Sequence, residues 1–276
     1  MPIEEKLAAL RSRIRALGSV LVCYSGGVDS ALVLAVAHQE LGSSAVGMTA
    51  VSPSLAPAER EDAEAVARLI GVDHYLVDSN EIEDPSYVAN NPDRCFHCKS
   101  ELYRIALEKR TEWALAAIVN GTNLDDLRDY RPGLEAAKQA GVISPLVELG
   151  FTKADVRAGA AIVGLPIWDK PAAACLSSRI PFGTSVTRER LTQISGFEAA
   201  LRALGFRQVR VRYHNELARI ELALEELPRA ADPAVRDAMV ESGKKHGFRY
   251  VTLDLGGYRM GSHNEILAGK QLRIVS

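Results

Sequence analysis

The sequence predicts an α/β fold, with a parallel sheet that carries helices on both faces, followed by a small C-terminal α+β domain. Over residues 1–186, short apolar runs alternate with helical stretches, which is the order of a parallel sheet with crossover helices. Over residues 187–276, the order helix, strand, strand, helix, strand is typical of a small antiparallel sheet with packed helices. We therefore expect a domain boundary between residues 186 and 187.

Composition and charge restrict the class of protein. The chain has 276 residues, of which 47% are hydrophobic and 25% charged, as in ordinary globular proteins. The net charge of −2 gives no basic field of the kind that nucleic acids attract. The sequence lacks an apolar run of membrane-spanning length and a stretch resembling a signal peptide. We therefore expect a cytoplasmic protein that binds neither nucleic acid nor membrane.

The individual elements follow from hydrophobic periodicity. Residues 2–17 form a predicted helix, because Leu7, Leu10, Ile14 and Leu17 recur at helical spacing. The same reasoning predicts strands over residues 20–24, 45–51, 73–77, 116–120, 208–213, 218–222 and 249–255, and helices over residues 31–38, 58–70, 100–112, 188–204 and 233–246.

A glycine-rich turn joins the first predicted strand to the next helix. Gly26 and Gly27 let backbone N–H groups approach a phosphate, and the helix N-terminus adds positive potential. Ser25 and Ser30 offer hydroxyl hydrogen bonds to phosphate oxygens. Asp29 beside a polyphosphate indicates a shared Mg²⁺ ion. The alternative is a plain glycine turn before a capped helix.

Further polar residues lie near the ends of other predicted strands. In parallel α/β folds, ligands bind at the carboxyl ends of the strands. Thr49 belongs to the second strand, and Asp125 and Asp126 follow the fourth. We predict that Thr49 and Asp125 contribute to a nucleotide site, with the aspartates sharing the magnesium or orienting the nucleotide. Alternatively, the two aspartates form a turn that caps a helix.

The chain has four cysteines. Cys95 and Cys98 form a C-x-x-C within residues 83–99, and Cys175 lies within residues 169–184; both segments look like irregular loops over the nucleotide end of the sheet. Three thiolates that meet there could hold a 4Fe–4S cluster and leave one iron open. A zinc site and a redox pair are the alternatives. Cys23, in a strand, is expected to be a buried apolar residue.

Basic residues form a second candidate group. Ser178 and Arg179 offer a hydroxyl and a bidentate guanidinium, which suit a phosphate or carboxylate. Arg210 and Arg212 share one face of a predicted strand, and Glu221 on the partner strand is a candidate to pair with one of them or to hold a metal. Alternatively, Arg179 is structural and the strand arginines face solvent.

These motifs resemble known families. Ser25–Ser30 resembles the SGGxDS loop of the PP-loop ATP pyrophosphatases, which have an adenine nucleotide alpha hydrolase-like fold, and lacks the lysine of a Walker A loop. Four longer motifs extend the resemblance to the LarE family of ATP-dependent sulfur transferases, which act in nickel-pincer nucleotide biosynthesis: Asp129–Ala136, Cys175–Thr184, Val209–Leu222 and Phe248–Ser262.

The resemblance implies a reaction. ATP, with Mg²⁺, would adenylate a carboxylate of pyridinium-3,5-biscarboxylic acid mononucleotide and release pyrophosphate. A sulfur nucleophile would then displace AMP and leave a thiocarboxylate. Asp29 and Cys175 are the implied catalytic residues, and residues matching Ser178, Arg179, Arg210 and Arg212 gather phosphate or substrate groups. Related proteins form hexamers, so a homo-oligomer is expected.

The family has two sulfur sources. In one form, a cysteine matching Cys175 gives up its own sulfur. In the other, three cysteines matching Cys95, Cys98 and Cys175 hold a 4Fe–4S cluster whose open iron carries the transferred sulfide. Because all three are present, we expect the cluster form; the sequence does not indicate the origin of the sulfide.

Three other functions fit parts of the sequence. A PP-loop tRNA thiolase would need an RNA-binding surface, which the net charge does not favour. An ammonia-using ligase would leave the cysteines without a role. An ATP-binding regulator with a structural metal would release no pyrophosphate.

Overall fold

The computed structural model describes residues 1–128, 132–171 and 174–259. The chain divides into two compact units, the first ending at Ala173 and the second beginning at Ala174. This division precedes the expected boundary after residue 186, because Arg179 pairs with Glu198 inside the second unit. Residues 129–131 and 260–262 of the quoted motifs lie outside the described residues.

The first unit contains a parallel four-stranded sheet. Its strand order is β3-β2-β1-β4, and every neighbouring pair is parallel, as predicted. Its helices and strands, in chain order, are α1 (Ile3–Leu17), β1 (Val20–Cys23), α2 (Val28–Leu41), β2 (Ala45–Val51), α3 (Pro57–Ile70), β3 (Asp73–Asp78), α4 (Pro85–Val88), α5 (Arg94–Glu112), β4 (Ala117–Val119), α6 (Gly133–Gln139), α7 (Pro145–Glu148) and α8 (Lys153–Ile162).

Helices cover both faces of this sheet. Alternate residues of β1 point to opposite faces, so Val20 and Val22 join a core with α1, α2, α3 and α8. Leu21 and Cys23 join a separate core with α5 and α6. The predicted α/β architecture is therefore confirmed. Of the helices in the described residues, none has the length and apolarity that a membrane span requires.

The segment before α5 differs from its prediction. Residues 83–99 are not an irregular excursion, because α4 forms within them and α5 already begins at Arg94. Asp84 caps α4 by accepting a hydrogen bond from the Ser86 backbone N–H at 2.8 Å. Proline and asparagine suggested a loop, but Pro92 lies just before the helix start, where proline is well tolerated. Cys95 and Cys98 therefore lie at the start of a helix.

The second unit contains a three-stranded sheet of order β5-β6-β7. The predicted hairpin is confirmed, since β5 and β6 pair antiparallel around a turn at Asn215. However, β7 pairs parallel to β6, so the prediction of an antiparallel sheet is wrong for this strand. The intervening helices form a crossover that returns the chain in the same direction. The elements are α9 (Arg188–Ala203), β5 (Val209–His214), β6 (Leu217–Leu222), α10 (Leu227–Ala230), α11 (Pro233–Lys245) and β7 (Tyr250–Leu253).

Candidate functional site

The loop between β1 and α2 is ordered by its own hydrogen bonds. Gly26 adopts φ +77°, a left-handed conformation that glycine reaches without strain. The Ser30 hydroxyl donates to the Gly27 carbonyl at 3.1 Å and accepts from the Ser25 backbone N–H at 3.2 Å. The Ser25 and Ser30 hydroxyl oxygens lie 3.1 Å apart. The loop therefore curls around the N-terminus of α2, as an anion-binding turn requires.

Gly121, which follows the carboxyl end of β4, packs against this loop. A Cβ atom at Gly121 would lie 2.4 Å from the Ser30 backbone nitrogen and 2.8 Å from the Asp29 carbonyl carbon. Only glycine allows these two backbone segments to approach so closely. Gly121 was not among the predicted site residues, although its position after a predicted strand was a signal.

Asp29 is the centre of a polar cluster. Its Oδ1 accepts a hydrogen bond from Asn123 Nδ2 at 2.9 Å, and its Oδ2 accepts one from Lys153 Nζ at 2.5 Å. Neither Asn123 nor Lys153 was among the predicted site residues. One signal was present: Lys153 is the first residue of α8, where the helix dipole disfavours a positive charge. An unfavourable position for a lysine suggests that its charge serves the site.

Asp125 belongs to the same region. Its carboxylate accepts a hydrogen bond from the Lys153 backbone N–H at 2.7 Å, and its own N–H donates to Asn123 Oδ1 at 2.9 Å. The bond from Lys153 satisfies a backbone N–H at the start of α8. This agrees with the alternative interpretation, in which the aspartates form a turn that caps a helix. A role of Asp125 toward magnesium or nucleotide stays a prediction.

The start of α8 is fixed by a capping box. Thr152 accepts a hydrogen bond from the Asp155 N–H, and the Asp155 carboxylate accepts from the Thr152 N–H. Lys6 donates to the same carboxylate at 2.7 Å. Burial alone would raise the pKa of Asp155, but the hydrogen bonds from Lys6 and Thr152 outweigh it and lower this pKa to about 2.

Thr49 lies beneath the loop rather than on its surface. Its side chain is buried, and its hydroxyl donates to the Tyr24 carbonyl at 2.8 Å. His74 Nε2 lies 2.8 Å from the same oxygen. Since the hydroxyl proton is already donated, His74 Nε2 carries the proton of this second hydrogen bond. Thr49 thus supports the residue before Ser25, and its predicted contact with nucleotide stays a prediction.

Cys95 and Cys98 are three residues apart near the start of α5. Cys95 is exposed and Cys98 is half-buried. Burial lowers the pKa of nearby Lys99, but its interactions with Tyr103 and Cys98 outweigh this and raise that pKa. Cys23 is buried, as expected, and burial raises the pKa of its thiol to about 12, which leaves it uncharged and inert.

Cys175 belongs to the second unit, whereas Cys95 and Cys98 belong to the first. Across the described ranges, no group of three or more His, Cys, Asp or Glu side chains is placed to hold a metal ion. The three-cysteine cluster therefore stays a prediction. Cys175 is exposed and immediately precedes a 3₁₀ turn, Leu176–Arg179, so this part of the predicted loop is regular.

Arg179 and Arg212 form buried bidentate ion pairs. Arg179 donates to both carboxylate oxygens of Glu198, at 2.8 and 3.2 Å. Arg212 donates to both oxygens of Glu221, at 2.9 and 3.0 Å. The suggested pairing of Glu221 with a strand arginine is confirmed, whereas Glu198 was not anticipated. The alternative of solvent-facing strand arginines is wrong, because Arg210 and Arg212 are both buried.

Arg210 has a different environment. It stacks on the Tyr258 ring, with 4.1 Å from the guanidinium carbon to the ring centroid, and donates to the Tyr258 hydroxyl at 2.6 Å. It forms no ion pair with a carboxylate in the part of the chain that the structure describes. Burial lowers the pKa of Arg210, and the nearby Arg179 and Arg212 lower it further. Within its described residues, the second unit therefore holds a buried positive charge that is not paired with a carboxylate.

Comparison with known proteins extends these observations. The asparagine synthase family profile matches residues 4–91, which include the glycine-rich loop. The chain is 48% identical over 265 residues to an uncharacterized protein of Synechocystis sp., covering 96% of this chain and 99% of the relative. It is 39% identical over 269 residues to the pyridinium-3,5-bisthiocarboxylic acid mononucleotide synthase of Lactiplantibacillus plantarum, covering 97% and 96%. It is 27% identical over 194 residues to the tRNA-specific 2-thiouridylase of Rickettsia typhi, covering 56% and 53%.

Proposed function

Because this chain belongs to the PP-loop ATP pyrophosphatases and, within them, to the family of the pyridinium-3,5-bisthiocarboxylic acid mononucleotide synthase, we propose that it is an ATP-dependent sulfurtransferase acting on pyridinium-3,5-biscarboxylic acid mononucleotide. The reaction would adenylate a substrate carboxylate and convert it to a thiocarboxylate. The observation that carries the proposal is the identity with the Lactiplantibacillus enzyme over 97% of this chain. The Asp29 cluster and the buried Arg210 support the proposal, because they offer a carboxylate that could hold a cation and a guanidinium that could bind an anionic substrate.

The first half of the reaction belongs to the first unit. A substrate carboxylate oxygen would attack the α-phosphorus of ATP, and the bond to the leaving pyrophosphate would break. The loop from Ser25 to Ser30 would hold the departing phosphates through backbone N–H groups and hydroxyls. Carboxylate oxygens suit Mg²⁺, so Asp29 is the residue that would hold it, with Asp125 nearby; the ion would neutralise phosphate charge.

Lys153 would take part in this step by exchanging partners. In the described structure, its ammonium neutralises Asp29. With magnesium and ATP bound at the loop, the Asp29 carboxylate would hold the Mg²⁺ ion, and the Lys153 ammonium would lose its partner. A lysine ammonium freed beside a polyphosphate would bind its oxygens by charge-assisted hydrogen bonds. We therefore propose that Lys153 pairs with Asp29 before nucleotide binds and with the phosphates of ATP afterwards.

The anionic substrate would bind at the second unit. Its phosphate and carboxylate groups need cations, and Arg210 is a buried guanidinium whose charge is not neutralised by a carboxylate among the described residues. An anion there would relieve the repulsion from Arg179 and Arg212. Ser178 is a further candidate contact through its hydroxyl.

The sulfur step would use the cysteines. Thiolates are the usual ligands of a 4Fe–4S cluster, so Cys95, Cys98 and Cys175 are the residues that would hold one. Such a cluster, with one iron open, would supply the sulfide that displaces AMP. The fit rests on the donor chemistry and on two exposed or half-exposed thiols at the start of one helix. Sacrificial use of the Cys175 sulfur is the alternative. We also propose a homo-oligomer, a hexamer by resemblance.

The test combines metal analysis with product analysis. Protein purified without oxygen is assayed for iron, acid-labile sulfide, substrate-dependent pyrophosphate release and thiocarboxylate by mass spectrometry. Cys98→Ser should lose iron and repeated turnover, whereas the matched control Cys23→Ser should keep both. Thiocarboxylate formation with a mass loss at Cys175 would select the sacrificial route. Failure to form thiocarboxylate, together with thiolation of bulk tRNA, would overturn the proposal in favour of a tRNA thiolase.

A further inference from the structure

We infer that Asn90 and Arg94 are positioning residues, because their buried hydrogen bond holds the first turn of α5. That turn carries Cys95 and Cys98, so the bond keeps the two thiols at the spacing of a ligand pair. The inference deepens the proposed function, on which it rests, since a role for these thiols in sulfur transfer is part of that proposal. It concerns the first unit alone.

The spacing of the two thiols depends on where α5 begins. The helix starts at Arg94, so Cys95 and Cys98 both lie within its first five residues. Residues three apart on an α-helix share one face, with about 5–6 Å between their Cβ atoms. In an extended chain, the same three residues span about 10 Å. A helical first turn is therefore what makes the C-x-x-C a pair of neighbouring ligands.

The start of α5 lacks the usual side-chain cap. Asp93 occupies the N-cap position, but its carboxylate makes no capping hydrogen bond to the described backbone. The Arg94 N–H donates to the Asn91 carbonyl at 2.9 Å, and the Phe96 N–H donates to the Asp93 carbonyl at 2.7 Å. A helix end without a cap leaves backbone N–H groups unsatisfied and tends to fray. Another contact is therefore needed to hold this turn in place.

The side chain of Arg94 supplies that contact. Only 3% of Arg94 is exposed, which is rare for an arginine. Its Nη1 donates to Asn90 Oδ1 at 2.5 Å, a charge-assisted hydrogen bond to a residue that is itself fully buried. Such a bond resists opening, because the charged donor would lose an acceptor that water does not replace in the interior.

Asn90 is held in turn by α4. It adopts φ +54°, a left-handed conformation that asparagine tolerates better than most residues. Its N–H donates to the Tyr87 carbonyl at 3.1 Å, which closes the end of α4. The Tyr87 side chain is buried and shares a hydrogen bond with the hydroxyl of Ser54, just after β2. Hydrogen bonds and α4 thus connect the carboxyl end of the sheet, where ligands bind in such folds, to the start of α5.

The test compares Asn90→Gly with the matched control Asn215→Gly in the full-length protein. Glycine keeps the left-handed backbone and removes the amide that Arg94 binds. Asn215 adopts φ +56° in the hairpin turn, so the control makes the same change at an exposed position. Asn90→Asp should restore wild-type behaviour, because a carboxylate oxygen accepts the same bond and aspartate tolerates the same backbone.

Two measurements need no metal. Hydrogen exchange followed by mass spectrometry reports the amides of residues 94–99, and alkylation by iodoacetamide reports the thiols. In Asn90→Gly, we expect exchange of these amides to accelerate at least about tenfold and alkylation of the half-buried Cys98 at least about fivefold, because the first turn opens more often. After anaerobic reconstitution with iron and sulfide, we expect less iron per chain and a lower kcat for sulfur transfer at unchanged KM for ATP. The control should match the wild type throughout.

Unchanged hydrogen exchange and alkylation in Asn90→Gly would overturn the inference. So would Asn90→Asp behaving like Asn90→Gly, because the acceptor oxygen would then have no part in the effect. If Asn90→Gly does not fold, Tyr87→Phe, which removes only the hydroxyl bonded to Ser54, carries the test with the same expectations. Neither measurement depends on catalysis, so faster exchange and alkylation in a protein that transfers no sulfur would support the positioning role while refuting the proposed function.

Discussion

Replacing Gly121 by alanine should disable the nucleotide loop with a single methyl group. The new Cβ would lie 2.4 Å from the Ser30 backbone nitrogen, whereas ordinary contacts begin at 3.4 Å, so the backbone must move by about 1 Å. The obstacle is main chain, which has no flexible end to swing aside. A displacement of this size at a reacting group costs roughly 100-fold in rate. Overpacking should lower the free energy of unfolding by about 1–3 kcal/mol.

The assay is ATP–pyrophosphate exchange in the presence of the mononucleotide, with thermal unfolding measured in parallel. Gly159→Ala is the matched control, because its Cβ would meet only side-chain methyl groups of Leu32, Leu7 and Ile3, at 3.3 to 3.6 Å. We expect Gly121→Ala to lose exchange while the control keeps it. ATP–pyrophosphate exchange at the wild-type rate in Gly121→Ala would refute the reasoning. An equal loss of ATP–pyrophosphate exchange in both variants would show that the effect is general destabilisation and not a displaced loop.

Two further predictions concern charges around α8. Lys153→Met should slow ATP–pyrophosphate exchange by about 100-fold, which is the loss typical of removing one preorganised cation or donor at developing charge. It should barely change thermal stability, because the ion pair with Asp29 is partly solvated. An unaltered rate of ATP–pyrophosphate exchange would contradict the proposal that Lys153 moves from Asp29 to the phosphates. Asp155→Asn should lower the free energy of unfolding at pH 7 by about 1–2 kcal/mol, allowing for partial exposure. Because the pKa of Asp155 in the folded protein is lowered to about 2, the difference in free energy of unfolding between wild type and variant is present above pH ~4 and disappears as pH falls through about 2. Denaturant titrations at pH 7 and pH 2.5 measure this difference. The same difference at both pH values would contradict the lowered pKa of Asp155.

Features of the fold that depend on a few consecutive residues could be predicted from the sequence. Apolar runs placed the strands of the parallel sheet, and the glycine loop with its serines was evident, because each feature is encoded within a few consecutive positions. The sequence misled over residues 83–99: Pro92 does lie in a turn, but the predicted loop ends there, because α5 begins at Arg94.

Contacts between residues far apart in the sequence could not be predicted. The approach of Gly121 to Ser30 and the hydrogen bond from Lys153 to Asp29 depend on how strands and helices are arranged in space. The direction of β7 likewise depends on the crossover that precedes it. Periodicity placed Arg210 and Arg212 on one face, but only packing decides that the second has a carboxylate partner and the first has an aromatic one.

Among the residues that the structure describes, the second unit contains three buried guanidinium groups, of which two are neutralised by glutamates. Burying the third without a carboxylate opposes folding, and stacking on Tyr258 offsets only part of that cost. An anionic ligand at Arg210 would recover the difference, so ligand binding and stability of this unit should be coupled. The two paired arginines, by contrast, already have a carboxylate partner, so an anion beside either of them would not relieve an unpaired charge.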